Sequence, residues 1–513
     1  MSSNIVSLIH SFRSSIPAPH SALLLPLILL IVTYVSFSAF YNLYLHPLRN
    51  HPGPPLARLS RLWIRLGNLR GQKSHLIHAA HARYGPVVRI GPNELSFASP
   101  SAVRAIYASD AFVKEETFYR AKTIYHENHL MSFRDPEAHR ARKKLLQKGF
   151  SQAAMLDFEG QMASKIMVMM DQWAGRAAAA AGEGEGKALD VYKWVLWLSF
   201  DTIYHLMFDE DPGSVERGEP HRVMRYMRSW RPTFIYKEFA PWLLERWGTA
   251  IPGQVGGYFR DVKTWKEFAV KMIEGCRSRG TRTPFLKNAL DGADAALGRP
   301  LTDSELAEES MGGMFGGSGT TASTFTFLLW GTLKNRKAAE RLREEVRTAF
   351  KERRAVPMAA ECVKLPYLQA VINETLRVYP TIIATLPRTA VRDTTVDGVF
   401  IPKGTTAGTQ NFTIHRDPKA FLKPEEFIPE RWFEKEGEEL RKEAFIPFSV
   451  GQRSCIGINL AKMELSKLVA AFFLRFDAEV DDAMTEDDMR MYDVFSASPA
   501  GGRLLLRLKE VRG

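Results

Sequence analysis

Residues 22–40 read ALLLPLILLIVTYVSFSAF, nineteen residues without a charge. A helix of that length reaches about 28 Å, close to the thickness of a bilayer's hydrocarbon core, so this part of the chain is expected to span a membrane. A cleaved signal peptide is the competing reading, but the apolar run is too long and no small-x-small site precedes a polar start. Arg49, Arg58, Arg61, Arg65, Arg70 and Lys73 follow the run, whereas only Arg13 is charged before it. That asymmetry puts the C-terminal bulk on the cytoplasmic side. Pro47, Pro52, Pro54 and Pro55 stiffen the exit as a spacer. The expected division is a tail over 1–21, an anchor over 22–42, a proline-rich hinge over 43–57 and a catalytic domain over 58–513.

The chain of 513 residues is 45% hydrophobic and 25% charged, the balance of a core-forming protein. Helical patterning dominates, at 153–174, 191–208, 258–278, 303–333, 335–353, 366–379 and 457–475. Short strand-like pieces lie at 87–98, 390–402, 405–411 and 503–508. The fold class expected is mainly α with small β-sheets, in a single large domain. The low-complexity piece 176–187, RAAAAAGEGEGK, reads as a surface loop. No GxGxxG follows a strand and no phosphate-binding loop is present, so no nucleotide domain is fused. Cys276, Cys362 and Cys455 form neither a CxxC pair nor a disulfide framework, which fits a reducing compartment and argues against zinc. The net charge of +12 admits nucleic acid, but no basic run is interleaved with aromatics. A membrane surface or an acidic protein partner explains the charge better.

One cysteine has an unusual setting. In FSVGQRSCIG (448–457), Cys455 lies between Gly451 and Gly457, two residues after Arg453 and just before an apolar helical run. Glycines there allow close backbone approach to something flat or bulky. A helix N-terminus and a nearby cation both favour the thiolate. A buried structural thiol, a nucleophile and a metal ligand all fit this much. In NETLR (373–377), Glu374 and Arg377 share a helix face and can pair. FIPERW (427–432) adds Arg431, a second arginine able to join a buried network.

Together, ETLR, FIPERW and FSVGQRSCIG resemble the three signatures of the cytochrome P450 family, over about residues 40–510. The stretches YNLYLHPLRNHPGPP and FTIHRDPKAF look most like the filamentous-fungal members of specialised metabolism. The resemblance implies heme b with Cys455 as the axial thiolate of its iron, a ligand that favours O–O cleavage. Glu374, Arg377 and Arg431 would be the structural network behind the heme. Arg453, Arg388, Lys143 and His139 would meet the propionates, His139 standing where the family usually has Trp. Phe448 and Gly457 would shape the heme loop.

Five glycines in MGGMFGGSGTTAST (311–324) weaken a helix by about 1 kcal/mol each. Local distortion with access to a ligand is the expected reason. The family places an acid followed by Thr here; Thr320 matches, but the acid position reads Gly319. Proton delivery through Thr320, Thr321, Ser318 and water is one reading. A heme-thiolate isomerase or dehydratase independent of O2 and NADPH is the other. Phe315, Gly316, Ile382, Ile383, Ala384 and Phe495 are expected to line an apolar pocket, closed by the loop 113–134. A terpenoid, polyketide or alkaloid intermediate would suit it. The resemblance further implies a monomeric monooxygenase of the endoplasmic reticulum membrane with a cytosolic catalytic domain. Electrons would come from NADPH–cytochrome P450 reductase, with cytochrome b5 as a second partner, docking near Lys442, Arg453 and Lys462.

Overall fold

The computed structural model describes residues 18–182 and 188–511. The expectations for the tail 1–17 with Arg13, for EGEGK at 183–187 and for 512–513 lie outside the described residues. The uncharged run forms helix α1 (Ala18–Phe40), whose large side chains from Leu25 onward are exposed. It passes through a wide turn at Tyr41–Leu45 into the proline-rich segment. That segment is laid against the first strand: Leu48 is buried, and Arg89 donates Nη1 to Asn42 O at 2.9 Å and its N–H to Pro52 O at 2.7 Å. Only glycine fits at 53, because a Cβ there would lie 2.2 Å from Arg89 O.

The helices that build and position the site are α2 (Leu62–Leu69), α3 (Pro136–Leu146), α4 (Gln152–Gly182), α5 (Val191–Phe208), α6 (Val223–Lys237), α7 (Pro241–Trp247), α8 (Gly253–Arg279), α9 (Asp303–Lys334), α10 (Arg336–Ala349), α11 (Pro366–Val378) and α12 (Ile458–Arg475). Two expectations are corrected. The alanine run after Arg176 does not form a loop; alanine is the strongest helix former, so α4 continues through it to Gly182. The segment 113–134 is not all loop, since it contains the end of a strand and a helix at Glu116–Ala121.

Five strands form one sheet: β1 (Val87–Gly91), β2 (Glu94–Phe97), β3 (Phe112–Lys114), β4 (Arg388–Ala390) and β5 (Thr406–Thr409), in the order β1–β2–β5–β4–β3. β5 runs parallel to β2 and the other neighbours are antiparallel. A separate hairpin joins β6 (Met491–Val494) to β7 (Ser496–Pro499). The second strand of this hairpin packs against the long helix α9.

A capping box starts α9: Glu305 N–H donates to Thr302 Oγ1 at 3.2 Å, and Thr302 N–H to the Glu305 carboxylate at 2.8 Å. Asn335 ends it and caps α10 through Ala338 N–H at 3.2 Å. The expected distortion of α9 is absent, as the helix is continuous from Asp303 to Lys334. Three of its glycines serve close packing instead. A Cβ would meet His129 Nδ1 at 3.0 Å from Gly312, Met207 Sδ at 2.8 Å from Gly313 and Ile203 Cγ1 at 2.8 Å from Gly317. α9 therefore seats directly on α5, which carries Ile203 and Met207.

α12 is buried along most of its length, including Glu464, whose carboxylate accepts from Ser199 Oγ on α5 at 2.7 Å. With no cation beside it, burial pushes that carboxyl up to about 7. The folded state then holds this proton longer than the unfolded chain, whose value is near 4.5. The contribution is favourable at low pH and is lost as pH rises from about 4.5 to about 7. Glu464→Gln should therefore flatten the stability profile between pH 5 and 8 by up to about 3 kcal/mol. Parallel denaturation profiles of the two proteins across that range would refute this titration.

Candidate active site

The loop before α12 is shaped by two left-handed residues, Ser449 (φ 61°) and Gly451 (φ 73°). Glycine is required at 451, where a Cβ would also meet Tyr107 O at 2.9 Å. The loop closes with Cys455 N–H donating to Phe448 O at 2.9 Å, and Phe448 is half-buried beneath it. Cys455 lies deep in the protein, yet its own atoms are exposed, so the sulfur faces internal open space. Cys276 and Cys362, by contrast, are sealed in the core. Burial pushes the Cys455 thiol up; the Gly457 N–H and Lys143 pull it down.

The cation beside the sulfur is therefore Lys143, where the sequence points to Arg453. Lys143 Nζ, on α3, donates to Gln452 O and Ser454 O at 2.9 Å each, clamping the loop from one side. Arg453 turns inward, its Nη1 and Nη2 donating to Phe133 O and Arg134 O at 3.2 Å each.

Arg453 joins a group of cations that strand pairing enforces. Lys114 on β3 stands directly opposite Arg388 on β4, a like-charge pair that destabilises a bare sheet. Arg388 Nη1 donates to Tyr119 Oη at 2.5 Å, and Lys114 Nζ to Leu130 O and Met131 O at 3.2 and 2.6 Å. Burial together with Arg453 and Arg388 holds Lys114 well below its ordinary value. His139 is buried among Lys114, Arg453, Lys143 and Arg388, which with desolvation push it down to about 2. It stays neutral, with one ring N–H to donate and one ring nitrogen to accept. Of the acids that reach this group, Glu309 is already held by Arg142 Nη1 at 2.5 Å, and Asp135, near Arg453, accepts from Ala138 N–H at 2.7 Å. Lys114 is missed by sequence reasoning, because its role arises only from the register of β3 against β4.

On the opposite side, α9 presents Gly316 and Gly319, where an added Cβ would meet nothing within 4 Å. Thr320 lies half-buried on this face and donates Oγ1 to Gly316 O at 2.6 Å. Ser318 and Thr321 do not share it. They belong with Met314 and Phe325 to the face turned into the core, and Ser318 Oγ donates to Met314 O at 2.8 Å. Helical periodicity separates residues 318 and 321 from residue 320.

The walls are partly as expected. Phe315 packs edge-on against Trp230 at 4.4 Å, and Ile382 is half-buried, but Ile383 and Ala384 are enclosed in the core. Phe495 sits at the β6–β7 turn with φ 77°, its ring 6.1 Å from Phe118 and 6.2 Å from Phe234. Ala497 N–H donates to Thr381 O at 2.7 Å, tying that hairpin to the segment after α11. Adjacent acids of α9 pin the covering segment: Glu308 accepts from Tyr125 N–H at 2.7 Å and Glu309 from Leu130 N–H at 2.9 Å. Two acids inside the apolar stretch LAEESM were the available signal for that role.

Behind the loop, the fully buried Glu374 receives Arg377 Nη2 at 2.7 Å and Nε at 2.9 Å, Arg431 Nε at 3.1 Å, Trp432 Nε1 at 3.1 Å and Ile428 N–H at 2.8 Å. The arginines spend their remaining donors on carbonyls, among them Pro424 O at 2.6 Å and Leu422 O at 2.7 Å.

The family described as Cytochrome P450 matches residues 52–505. The chain belongs to the cytochrome P450 family. It is similar to the cytochrome P450 monooxygenase tazI of Aspergillus terreus, with 31% identity over 94% of this chain and 98% of that protein. It is likewise similar to stcF of Emericella nidulans, with 30% identity over 91% and 94% of the two chains. A third relative, astD of Aspergillus oryzae, is 30% identical over 85% and 84%. Members of the family are heme-thiolate monooxygenases that use heme b, O2 and NADPH-derived electrons passed on by a reductase.

The residues of this P450 fit heme b. A cysteine sulfur faces open space inside the fold, two glycines leave α9 bare on one face, and Lys114, Arg388 and Arg453 cluster without a carboxylate salt bridge among the described residues. Two propionates supply the negative charge that this cluster lacks. Lys114→Met should release hemin to an acceptor globin roughly tenfold faster, the loss of one charge-assisted hydrogen bond. Lys144→Met, on the exposed side of α3, should leave release unchanged. Equal rates in all three proteins would remove Lys114 from the cradle.

Proposed function

We propose that this P450 is a membrane-anchored monooxygenase that inserts one oxygen atom from O2 into a lipophilic intermediate of specialised metabolism. The observation that carries this reading is Cys455, deep in the protein yet accessible, in a chain whose helix α9 has a face left bare by Gly316 and Gly319. When bound, heme supplies the oxygen chemistry. Cys455 would ligate its iron, with the Gly457 N–H and Lys143 favouring the thiolate. Arg388, Arg453, Lys143 and Lys114 would hold the propionates, with the neutral His139 offering an N–H. Glu374, Arg377 and Arg431 would fix the loop from behind.

Thr320 is the hydroxyl on the open face of α9 and would hold the proton that the reaction consumes. Its partner, the Gly316 carbonyl, is approachable because residue 316 has no side chain. Gly319 leaves the adjacent space to water, which replaces the missing acid in this relay. Ser318 and Thr321 support the helix instead. The aromatic walls of Phe118, Trp230, Phe234, Phe315 and Phe495 suit a substrate held by shape.

Membrane attachment is supported by α1 and by a second apolar face. Leu62, Leu66 and Leu69 on α2 and Trp242, Leu243 and Trp247 on α7 are exposed. Arg65 on α2 reaches the turn between α6 and α7, donating to Glu238 O at 2.8 Å with its guanidinium 4.8 Å over the Phe239 ring. The basic residues that follow α1, from Arg49 to Lys73, favour a cytosolic catalytic domain in the endoplasmic reticulum. The chain should stay with carbonate-washed membranes; its release into the wash would overturn the anchor.

For the reductase, and for cytochrome b5, the basic surface beside the Cys455 loop is Arg140, Lys144, Lys148 and Lys462, all exposed. Lys442 contributes less, being paired with Glu438 at 2.7 Å and Glu439 at 3.0 Å. Arg453 is turned inward. An acidic docking face complements this surface.

The decisive experiment is a carbon monoxide difference spectrum of membranes reduced with dithionite, or with NADPH and reductase. The red-shifted Soret band should appear in both and vanish in Cys455→Ala. A band in that variant would refute the thiolate assignment. In turnover, Thr320→Ala should raise peroxide released per NADPH consumed, and unchanged coupling would exclude Thr320. Product formation without O2 and NADPH would replace the oxygenase with an isomerase.

A further inference from the structure

We infer that Arg231 is an anion anchor in the substrate pocket, so the lipophilic substrate carries an acidic group such as a carboxylate. This deepens the reading above and rests on it.

Helix α6 divides cleanly into two faces. Ser229 Oγ donates to Asp261 Oδ2 at 2.7 Å and ties the outer face to α8. Met227, Trp230, Arg231 and Phe234, at helical spacing, form the other. Trp230 and Phe234 are each about 1% exposed and contact Phe315 and Phe495, the two rings that flank the open face of α9. Arg231 lies between them in sequence and on the same face, deep in the protein but still partly accessible. Its Nη2 donates to Ser496 O at 2.8 Å and Ser496 Oγ at 2.9 Å, at the hairpin turn beside Phe495.

The rest of the fork is free. Among the described residues Nε and Nη1 make no hydrogen bond, and neither is among the sealed atoms without partners. No carboxylate lies within salt-bridge distance. Asp493, the acid in its surroundings, is fully buried; its Oδ2 accepts from Ser74 N–H at 2.8 Å, and its Oδ1 is unpartnered.

The neighbouring cations are occupied. Lys122 Nζ is paired with Glu238 at 2.9 Å and lies 4.0 and 4.2 Å from the Phe118 and Phe234 ring centroids. Lys237 Nζ donates to Thr123 O at 2.8 Å. Arg231 is thus the guanidinium in this aromatic enclosure with donors to spare. Burying such a charge without a partner is costly, and burial already lowers its affinity for its proton. A fork held at one corner and open along the Nε–Nη1 edge has the shape that receives a carboxylate through two parallel hydrogen bonds.

The test uses the purified full-length holoenzyme, titrated with dodecanoate and with 2-naphthoate, each against its methyl ester. Binding is read from the shift of the heme Soret band. An acid should bind at least about tenfold tighter than its ester. Arg231→Gln should weaken the acid by roughly 10- to 100-fold and leave the ester unchanged. Arg231→Lys, which keeps the charge but loses the fork, should retain part of the preference. Both variants are compared with an intact carbon monoxide band, which separates a lost anchor from a lost fold. A preference for dodecanoate alone would point to a fatty acid from the membrane as the occupant, and a preference for both acids to a soluble acidic metabolite. Equal affinity for acid and ester in the unaltered protein, or equal weakening of both by Arg231→Gln, would overturn the proposal. Failure of NADPH-driven turnover with the acid preference intact would instead count against the oxygenase reading alone.

Discussion

The carboxylate of Glu374 is the point from which the rest of the site is suspended. It is wholly buried, and it tolerates that position because two guanidinium groups, an indole N–H and a backbone N–H converge on it. A buried ion pair of this kind gives little net stability over an apolar replacement, but losing one partner leaves an uncompensated charge. Its value is positional. Arg377 carries the tie onward to His415 O at 3.0 Å, and His415 Nε2 accepts from Ile446 N–H at 3.0 Å. Ile446 begins the approach to the Cys455 loop. An unbroken set of hydrogen bonds thus connects α11 to the strand of chain that carries the sulfur.

Charge is distributed unevenly around that sulfur. Behind the loop Arg377 and Arg431 share the Glu374 carboxylate, whereas the cations in front have carbonyls but no carboxylate salt bridge among the described residues. In front of it, Lys114, Arg388 and Arg453 are brought together by sheet register and by the inward turn of the loop, with His139 forced neutral in their midst. Such a group is unfavourable until carboxylates join it. Heme b would bring two propionates, the kind of charge that this strand pairing calls for.

Much of this was legible in the residues. The N-terminal helix followed from an uncharged run, the other helices from 3.6-residue periodicity, and the convergence of Arg377 and Arg431 on Glu374 from short motifs whose spacing is local. The glycines of α9 were legible as exceptional but not in their purpose: three are spent on contacts with α5 and His129, and two open the face that carries Thr320. Ser318 and Thr321, expected in proton delivery, and Ile383 and Ala384, expected in the pocket wall, are buried in the core for one reason. Adjacent residues in a helix or turn point in different directions, and sequence proximity to Thr320 or Ile382 does not carry orientation with it.

The sequence by itself determined the long uncharged N-terminal helix, the mainly helical fold class, the buried Glu–Arg pairing and the cysteine loop, because each depends on residues within a few turns of one another. Tertiary structure decided that Lys143 and not Arg453 stands by the sulfur, that Lys114 faces Arg388, and that Arg231 meets Ser496. Those are encounters between elements far apart in the chain. They are fixed by strand register and helix packing, which depend on the summed burial of many side chains and leave no local mark in the residues they bring together.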